Sequence, residues 1–124
     1  MIILDTCILI DRDLYVFDEN ETYAASILSR AELESGLRTA ATPEQRAERA
    51  QLLNALDAQF DWLPFDLECT RAYGEITAGI TAHGTGALIA AQAYRFGANV
   101  ISENFGDFAP FWRFVRVNRP TPKP

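Results

Sequence analysis

The chain has 124 residues, of which 48% are hydrophobic, so it can bury a core as one domain and is not a disordered tail. Its formal net charge of −6 argues against broad binding of nucleic acid, but it is compatible with a nuclease whose clustered carboxylates hold a metal ion. No apolar run is long enough to span a bilayer, and the N-terminus has neither the basic region nor the cleavage site of a signal peptide, so we expect one cytoplasmic domain over residues 1–124.

The first residues predict a buried strand that ends on an acid. Residues 1–4 are apolar throughout, as in a strand covered on both faces, and Asp5 follows them directly. In open α/β sheets the ligand chemistry lies at the carboxyl ends of the strands. Asp5 therefore stands where a catalytic or metal-binding carboxylate is expected, or it caps the short helix or turn predicted at residues 8–10.

A second strand and a helix follow an acidic segment. Residues 11–22 are rich in Asp, Glu and Asn and predict a loop or an exposed helix, whereas residues 23–28 predict a strand. Ser29 then opens a helix that runs to about Leu37. Glu32 lies in the first turn of this predicted helix. It is either a site carboxylate or the second half of a capping box that begins at Ser29.

Two further helices have recognisable start signals. The segment 42–45, Thr-Pro-Glu-Gln, combines a capping threonine, a proline at the first helical position and a capping-box glutamine. Residues 62–65 predict a short strand, after which Asp66 caps a helix whose apolar face includes Cys69. We therefore expect Cys69 in the core. The only other cysteine is Cys7, and the pair is expected to be reduced rather than joined in a disulfide.

The last third of the chain predicts a buried helix and two strands. Residues 79–86 form a glycine-containing loop, and residues 87–96 are apolar or small on every side, as in a buried helix that ends at Gly97. Strands are predicted at 99–101 and 114–117, and we expect the proline-rich end to be frayed. Strands that alternate with helices predict a mostly parallel sheet with helices on both faces.

Four polar residues follow three of the predicted strands. They are Asp5, Glu32, Asn104 and Asp107. Parallel strands can gather such residues into one pocket, and carboxylate and amide oxygens suit hard cations such as Mg²⁺ or Mn²⁺. Such ions activate water and neutralise charge on a phosphodiester. Asp107 has a simpler explanation as a turn residue after Gly106.

Arginine dominates the cationic residues, because Lys123 is the only lysine. Arg113, Arg116 and Arg119 lie close together near the C-terminus. Arginine suits bidentate contact with phosphate, whereas the simpler interpretation is a solvated strand face, which we favour. The chain also lacks the glycine-rich Lys-Ser/Thr loop of P-loop enzymes, and it has neither a Cys-x-x-Cys pair nor more than one histidine, so a zinc site is not expected.

Four segments of the chain, at residues 2–6, 29–36, 87–91 and 100–108, occur in the order and with the spacing of a known family. The chain resembles the PIN-domain ribonucleases, and within them the VapC toxins of type II toxin–antitoxin systems. The resemblance implies a three-layer α/β/α PIN-like domain with a mostly parallel central sheet. It also implies a Mg²⁺- or Mn²⁺-dependent endoribonuclease that acts on RNA, forms a homodimer and is inhibited by a small VapB-like antitoxin.

The resemblance also assigns roles to the four polar residues. Asp5 matches the first acid of the family, a metal ligand, and Glu32 matches the second, which is a ligand or orients metal-bound water. Asn104 and Asp107 match a last polar position that varies in the family. Either of them is expected to hold the metal, directly or through water.

One position departs from the family pattern. Gly86 stands where the family usually has an acid, and the loop before it is about five residues short by the usual loop lengths. Three explanations stay open: a weakened or inactive member, a substitution or deletion, or a flexible loop missing from the sequence. The alternative function is therefore an inactive PIN-like module that binds an antitoxin or RNA without cutting. His83 is a further candidate as general base, although metal-activated water needs none.

Overall fold

The structure is a computed structural model that describes residues 1–81 and 84–124, so His83 lies outside the described residues. The elements in chain order are β1 (Ile2–Leu4), α1 (Thr6–Ile10), β2 (Tyr15–Val16), β3 (Tyr23–Ala25), α2 (Ile27–Arg38), α3 (Pro43–Gln59), α4 (Leu67–Thr77), α5 (Thr85–Phe96), β4 (Asn99–Ile101), α6 (Phe105–Phe108), β5 (Val117–Asn118) and β6 (Thr121–Pro122). Short 3₁₀ turns lie at Arg12–Leu14 and Ala109–Phe111. Among the described residues, no helix has the length and apolar character that crossing a membrane requires.

The main sheet is parallel and has the strand order β3-β1-β4-β5. Ile3 at the centre of β1 pairs with Ala24 on one side and with Val100 on the other. The chain adds β3 on one side of β1 and later crosses to β4 on the opposite side, so the strand order reverses at β1. Ligand crevices of open α/β sheets lie outside the carboxyl ends of the strands at such a reversal. Asp5, directly after β1, occupies this place.

Helices cover both faces of the sheet. Successive residues of a strand point to opposite faces, and Ile3 and Leu4 accordingly enter different core clusters. Ile3 packs with Val100 among buried residues of α4 and α5, whereas Leu4 packs with Ala25 against α1 and α3. Each large side chain buried in this way stabilises the fold by about 1.5–3 kcal/mol. The predicted three-layer α/β/α architecture with a mostly parallel sheet is confirmed.

The strand predicted at residues 23–28 is shorter than expected. β3 ends at Ala25, and the next residue, Ser26, forms an isolated bridge with the distant residue Leu63. The Leu63 N–H donates to the Ala25 carbonyl at 2.8 Å, and the Leu63 carbonyl accepts from the Ile27 N–H at 2.9 Å. The short strand predicted at residues 62–65 is therefore reduced to a single bridge, and the chain turns into α2 directly after it.

Ser26, and not Ser29, is the N-cap of α2. The Ser26 hydroxyl accepts a hydrogen bond from the Leu28 N–H at 3.0 Å. The predicted capping box of Ser29 and Glu32 is therefore wrong. Both residues lie inside the helix, and Glu32 stands in its second turn. The carboxylate of Glu32 is thus not used by the helix end, which removes the simpler explanation for this acid.

Most other helix boundaries follow the local signals, although α5 begins at Thr85 and so includes the end of the predicted loop 79–86. Thr42 caps α3 by accepting from the Gln45 N–H at 3.1 Å, and Asp66 caps α4 by accepting from the Cys69 N–H at 2.9 Å. Gly97 ends α5 in the left-handed conformation, with φ of 63°. Cys69 is buried and its thiol is free, as expected. These signals need only neighbouring residues, which explains why the sequence pattern locates them well.

The C-terminal end is paired, so the prediction of a frayed tail is wrong. The last strand of the main sheet is β5, which starts at the end of the predicted range 114–117. Beyond it, β6 pairs antiparallel with β2, and Val16 lies opposite Thr121. The Lys123 N–H donates to the Leu14 carbonyl at 2.9 Å. These hydrogen bonds tie the chain end to the segment after α1.

Candidate functional site

Asp5 is a nearly buried acid with a fixed orientation. Its side chain is 9% exposed, and its backbone N–H donates to the Ile101 carbonyl at the end of β4, at 3.0 Å. Oδ1 accepts from the Thr6 N–H at 2.9 Å, and Oδ2 accepts from the Ser102 hydroxyl at 2.7 Å. Asp5 is also the N-cap of α1. The capping interpretation is thus correct, and the same hydrogen bonds hold the carboxylate at the sheet edge.

Ser102 is a site residue that the sequence did not reveal. It is fully buried directly after β4, and its hydroxyl donates to Asp5 while accepting from the Asn104 N–H at 2.9 Å. Its own N–H donates to the Asn118 carbonyl at 3.1 Å. The available signal was its position: Ser102 follows an apolar strand just as Asp5 does, on the neighbouring strand of the sheet.

Glu32 reaches the same site from α2. The Thr6 hydroxyl donates to Glu32 Oε1 at 3.1 Å, and the hydroxyls of Thr6 and Ser29 are 2.8 Å apart. Thr6 therefore contacts both acids, Asp5 through its backbone N–H and Glu32 through its side chain. Two carboxylates that are distant in sequence thus face one place at the strand-order reversal.

The charge of Asp5 disfavours the ionised form of Glu32. Desolvation raises the pKa of Glu32, and the negative charge of Asp5 raises it further, while the hydrogen bond from Thr6 lowers it in part. Glu32 still has one side open to solvent. A divalent cation would relieve the repulsion between neighbouring carboxylates, so this electrostatic arrangement favours cation binding.

Cys7 lies against the same cluster. Its thiol is 3.8 Å from Asp5 Oδ2, to which it donates, and 3.9 Å from the Ser102 hydroxyl. The side-chain amide of Asn104 donates to the Cys7 sulfur at 3.9 Å, which brings Asn104 to the edge of the site. Desolvation raises the pKa of the Cys7 thiol, and the charge of Asp5 also raises it. The thiol therefore stays protonated at neutral pH and is not a thiolate nucleophile.

Asp107 lies three residues after Asn104, whose carbonyl accepts from the Asp107 N–H at 3.1 Å, and among the described residues its side chain makes no hydrogen bond to Asp5 or Glu32. It is exposed, and it lines a separate hollow of about 320 Å³ with residues of the first turn of α5. Gly86 is buried at that contact. A Cβ atom at position 86 would lie 2.8 Å from the Asp107 carbonyl oxygen and 3.1 Å from the Asp107 Cβ. A side chain at position 86 would therefore require the contact between α5 and α6 to shift, and the atom that it meets belongs to the backbone.

The oxygen donors fit an open magnesium site better than a closed cage. Within residues 1–81 and 84–124, no three His, Cys, Asp or Glu side chains are gathered as metal ligands. Asp5 and Glu32 offer two carboxylates, and Asn104 offers an amide at the edge. Mg²⁺ keeps several waters in proteins and is commonly held by one or two carboxylates together with substrate phosphates. The residues present fit an ion of that kind.

A groove of about 410 Å³ opens beside the acids. It extends from Thr6 and Glu32 between α1, α2 and α3. The remaining lining residues are Ile10, Leu33, Gly36, Arg49 and Leu52. Arg49 donates from Nη1 to the Gly36 carbonyl at 2.6 Å, so its guanidinium stands at the rim. The groove thus joins the charged site to a mostly apolar surface.

Solved structures with this fold come from toxin–antitoxin systems. VapBC-5 from Mycobacterium tuberculosis, a member of the VapBC family, has a TM-score of 0.75 at 28% identity, over 96% of each chain. VapBC2 from Rickettsia felis, bound to a promoter DNA fragment, has a TM-score of 0.75 at 22% identity, over 97% of this chain and 99% of that chain. FitAcB from Neisseria gonorrhoeae has a TM-score of 0.70 at 24% identity, over 94% and 96%.

These neighbours are consistently toxin–antitoxin complexes, which confirms the resemblance seen in the sequence. No family model matches the sequence, and no curated protein matches it. At identities below 25% the likeness concerns the fold alone. The fold assignment therefore rests on the three-dimensional arrangement, and the chemistry rests on the residues of the site.

Proposed function

We propose that this chain, which has the PIN-like fold, is the toxin of a type II toxin–antitoxin pair and a Mg²⁺- or Mn²⁺-dependent endoribonuclease. One observation carries the proposal: Asp5 and Glu32 converge through Thr6 at the reversal of the strand order. The similar structures are members of toxin–antitoxin systems, which supports the toxin role.

Asp5, Glu32 and Asn104 are the residues that would hold the ion, with Asp107 as a further candidate from the neighbouring hollow. When bound, such an ion activates water and neutralises charge on the scissile phosphodiester. Ser102 keeps the Asp5 carboxylate in one orientation, and Thr6 does the same for Glu32. Donors and acceptors that are held in place before the reaction need little reorganisation during it.

Replacement of Asp5 by alanine tests the proposal. We expect Asp5→Ala to fold normally and to lose Mn²⁺ affinity. The cleavage rate should fall by at least about a hundredfold, because mutation of groups that only support metal ligands already lowers metal affinity or activity by about 10- to 100-fold. Calorimetric titration with Mn²⁺ and cleavage of a labelled single-stranded RNA are the measurements. Asp61→Ala, which removes an exposed acid outside the site, should leave both unchanged. Cleavage that survives Asp5→Ala would show that this site is not the active site.

The environment of Gly86 favours a second candidate function. In the described part of the chain only two carboxylates meet at the site, and a side chain at position 86 would meet the backbone of Asp107. The second candidate is therefore an inactive PIN-like module that binds an antitoxin or RNA without cutting. Intact binding of a partner without Mn²⁺ binding or cleavage would favour the module over the nuclease.

We also propose a small VapB-like antitoxin and a second copy of the chain as partners. The similar structures are VapBC complexes, which supports an antitoxin partner. The apolar groove beside Glu32 is the surface we assign to the antitoxin, because a segment that lies there would cover the site. An antitoxin bound in this place would inhibit cleavage by excluding RNA.

A further inference from the structure

The C-terminal segment differs in charge from the rest of the chain. Residues 108–124 contain four of the eleven cationic residues and none of the seventeen acidic ones. The segment is folded, because Phe111 and Val115 are buried and both of its strands are paired. The positive charge is therefore fixed on a surface of the domain and is not spread along a loose basic tail.

Five side chains form a surface that we call the basic aromatic surface. They are Phe105, Trp112, Arg113, Arg116 and Arg119. All except Arg119 line a groove of about 460 Å³, and the Arg119 guanidinium lies 4.3 Å from the centre of the Phe105 ring. The rings of Phe105 and Trp112 meet edge to face, with centroids 6.1 Å apart. Trp112 is 56% exposed, which is unusual for such a large apolar side chain.

The arginines of this surface keep their charge available. Elsewhere in the described chain, four arginines pair with carboxylates, namely Arg30, Arg38, Arg71 and Arg95. Among residues 1–81 and 84–124, the ion pairs do not include the three arginines of the basic aromatic surface. Two of them, Arg113 and Arg119, lie over aromatic rings instead. A ring contact orients a guanidinium without neutralising it, so the group can still bind phosphate.

The basic aromatic surface adjoins the acidic site at the sheet edge. Asp5 follows β1, Ser102 follows β4 and Arg119 comes directly after β5, and these three strands are neighbours. Adjacent strands lie about 4.8 Å apart, so the backbone at Arg119 is about 10 Å from that at Asp5 across the sheet. Phe105 directly follows Asn104, whose N–H is bonded to Ser102. An extended polymer that crosses this edge can contact both sites.

We propose that the basic aromatic surface binds single-stranded RNA and leads it to Asp5. The inference rests on the proposed function, since it specifies the form of its RNA substrate. Proteins bind single strands by stacking bases on exposed aromatic rings and by tracking the backbone with cationic groups. A duplex keeps its base faces hidden, so it cannot use Trp112 in this way. With a net charge of −6, the chain needs such a local surface to hold RNA.

Binding of a fluorescein-labelled single-stranded oligoribonucleotide, measured by fluorescence anisotropy in EDTA, tests the proposal without cleavage. Trp112→Ala should weaken binding by about tenfold or more, because it removes a stacking ring. Trp112→Phe keeps a ring and should retain most of the affinity. Arg119→Gln should weaken binding severalfold. The logarithm of its binding constant should also fall less steeply with the logarithm of the salt concentration, by about 0.7 in the slope. Arg46→Gln, an equal charge change at an exposed position of α3, should change affinity less than twofold.

Several outcomes would overturn the proposal. One is undetectable RNA binding by the unaltered chain. Another is that the Trp112→Ala and Arg119→Gln proteins are folded and bind RNA as tightly as the unaltered chain. A third is that Arg46→Gln loses as much affinity for RNA as Arg119→Gln. A Trp112→Ala protein that binds RNA normally but changes its mass in light scattering would assign the surface to protein contacts instead. The assay in EDTA is independent of catalysis. A negative binding result therefore does not contradict the cleavage result with Asp5→Ala. Cleavage that survives in Asp5→Ala likewise does not contradict a positive binding result.

Discussion

The hydrogen bonds that the two acids of the site accept within the described chain come from neutral partners alone. Asp5 and Glu32 accept hydrogen bonds from a backbone amide, hydroxyls and a thiol, all of which are neutral. By contrast, Glu34 and Asp57 are paired with arginines. Neutral donors fix the direction of a carboxylate without neutralising it. The negative charge at the sheet edge therefore remains available to a cation.

Gly86 gives a test at the level of one residue. We expect Gly86→Ala to lower the free energy of unfolding by about 1–3 kcal/mol, because the new methyl group would overlap the backbone carbonyl of Asp107 at 2.8 Å. A backbone atom cannot rotate away as a side chain can. Denaturation by urea measures the difference.

Gly74→Ala is the matched control for this prediction. Gly74 also lies inside a helix, α4, but a Cβ there would meet no atom within 4 Å. Alanine should therefore raise the free energy of unfolding by about 0.5–1 kcal/mol at that position. If both variants were equally stable, α5 and α6 would not be in close contact at position 86. The same contact explains why Gly86→Asp alone is not expected to restore an acid to the site.

The site residues divide into those that the sequence predicts and those that only the folded chain reveals. Asp5 was placed correctly because a strand end is visible as an apolar run that stops on an acid. The hydroxyl of Ser102 depends on the register between β1 and β4, which links residues almost a hundred positions apart. Asp107 lies in α6, which Asn104 precedes, and it lines a different hollow. Local sequence cannot distinguish the two directions.

At the level of elements, local signals predicted the helix ends except where distant pairing intervened. Thr42 and Asp66 cap their helices through residues within three positions. The start of α2 was predicted three residues too late, because Ser29 begins a capping-box pattern of its own. Ser26, which forms an isolated bridge with Leu63, caps the helix instead. Such non-local pairing overrides a local pattern.

The contact between α2 and α3 gives a test that depends on pH. Arg30 donates to both oxygens of Asp57, at 2.8 and 3.0 Å, and Trp62 donates to Oδ1 at 2.8 Å. The bonds from Arg30, followed by the bond from Trp62, lower the pKa of Asp57. A lowered pKa stabilises the fold above the ordinary aspartate range near pH 4, and the contribution is lost as the pH falls through the pKa of the folded state.

We therefore expect Asp57→Asn to melt at a lower temperature than the unaltered chain at pH 7. The difference should shrink as the pH is lowered to about 3, where the native carboxyl group is increasingly protonated. Melting curves followed by circular dichroism between pH 3 and 7 measure this. Asp61→Asn, at an exposed position nearby, is the control and should show no such dependence. A constant difference over this range would mean that the charge of Asp57 is not involved.

At the level of the whole molecule, the sequence indicated the sheet and its helical layers but not how the ends meet. The order β3-β1-β4-β5 follows the usual logic of alternating strands and helices. The pairing of β2 with β6 joins residues more than a hundred positions apart. Both strands have two residues, so neither has a periodic pattern that could be recognised. The proline-rich end therefore looked frayed although it is held in place.

The exposed apolar surface leads to a prediction about assembly. Leu14 and Val16 are both about half exposed within one short segment. Contiguous apolar surface of this kind is typical of protein contacts, and we expect the chain to form a symmetric dimer. Light scattering at micromolar concentration should give twice the mass of one chain. The mass of a monomer under these conditions would count against the dimer.

The basic aromatic surface makes the distribution of charge on the molecule uneven, because three of its five side chains are arginines. The acids lie in residues 1–107, and the last seventeen residues carry positive groups alone. An approaching polyanion is repelled from most sides of the protein and attracted to one side, so the electric field orients the two molecules before they make contact. This pre-orientation weakens as salt is added, because charges are screened within about 8 Å at physiological ionic strength. The rate of productive encounter therefore depends on the ionic strength of the solution as well as on the protein.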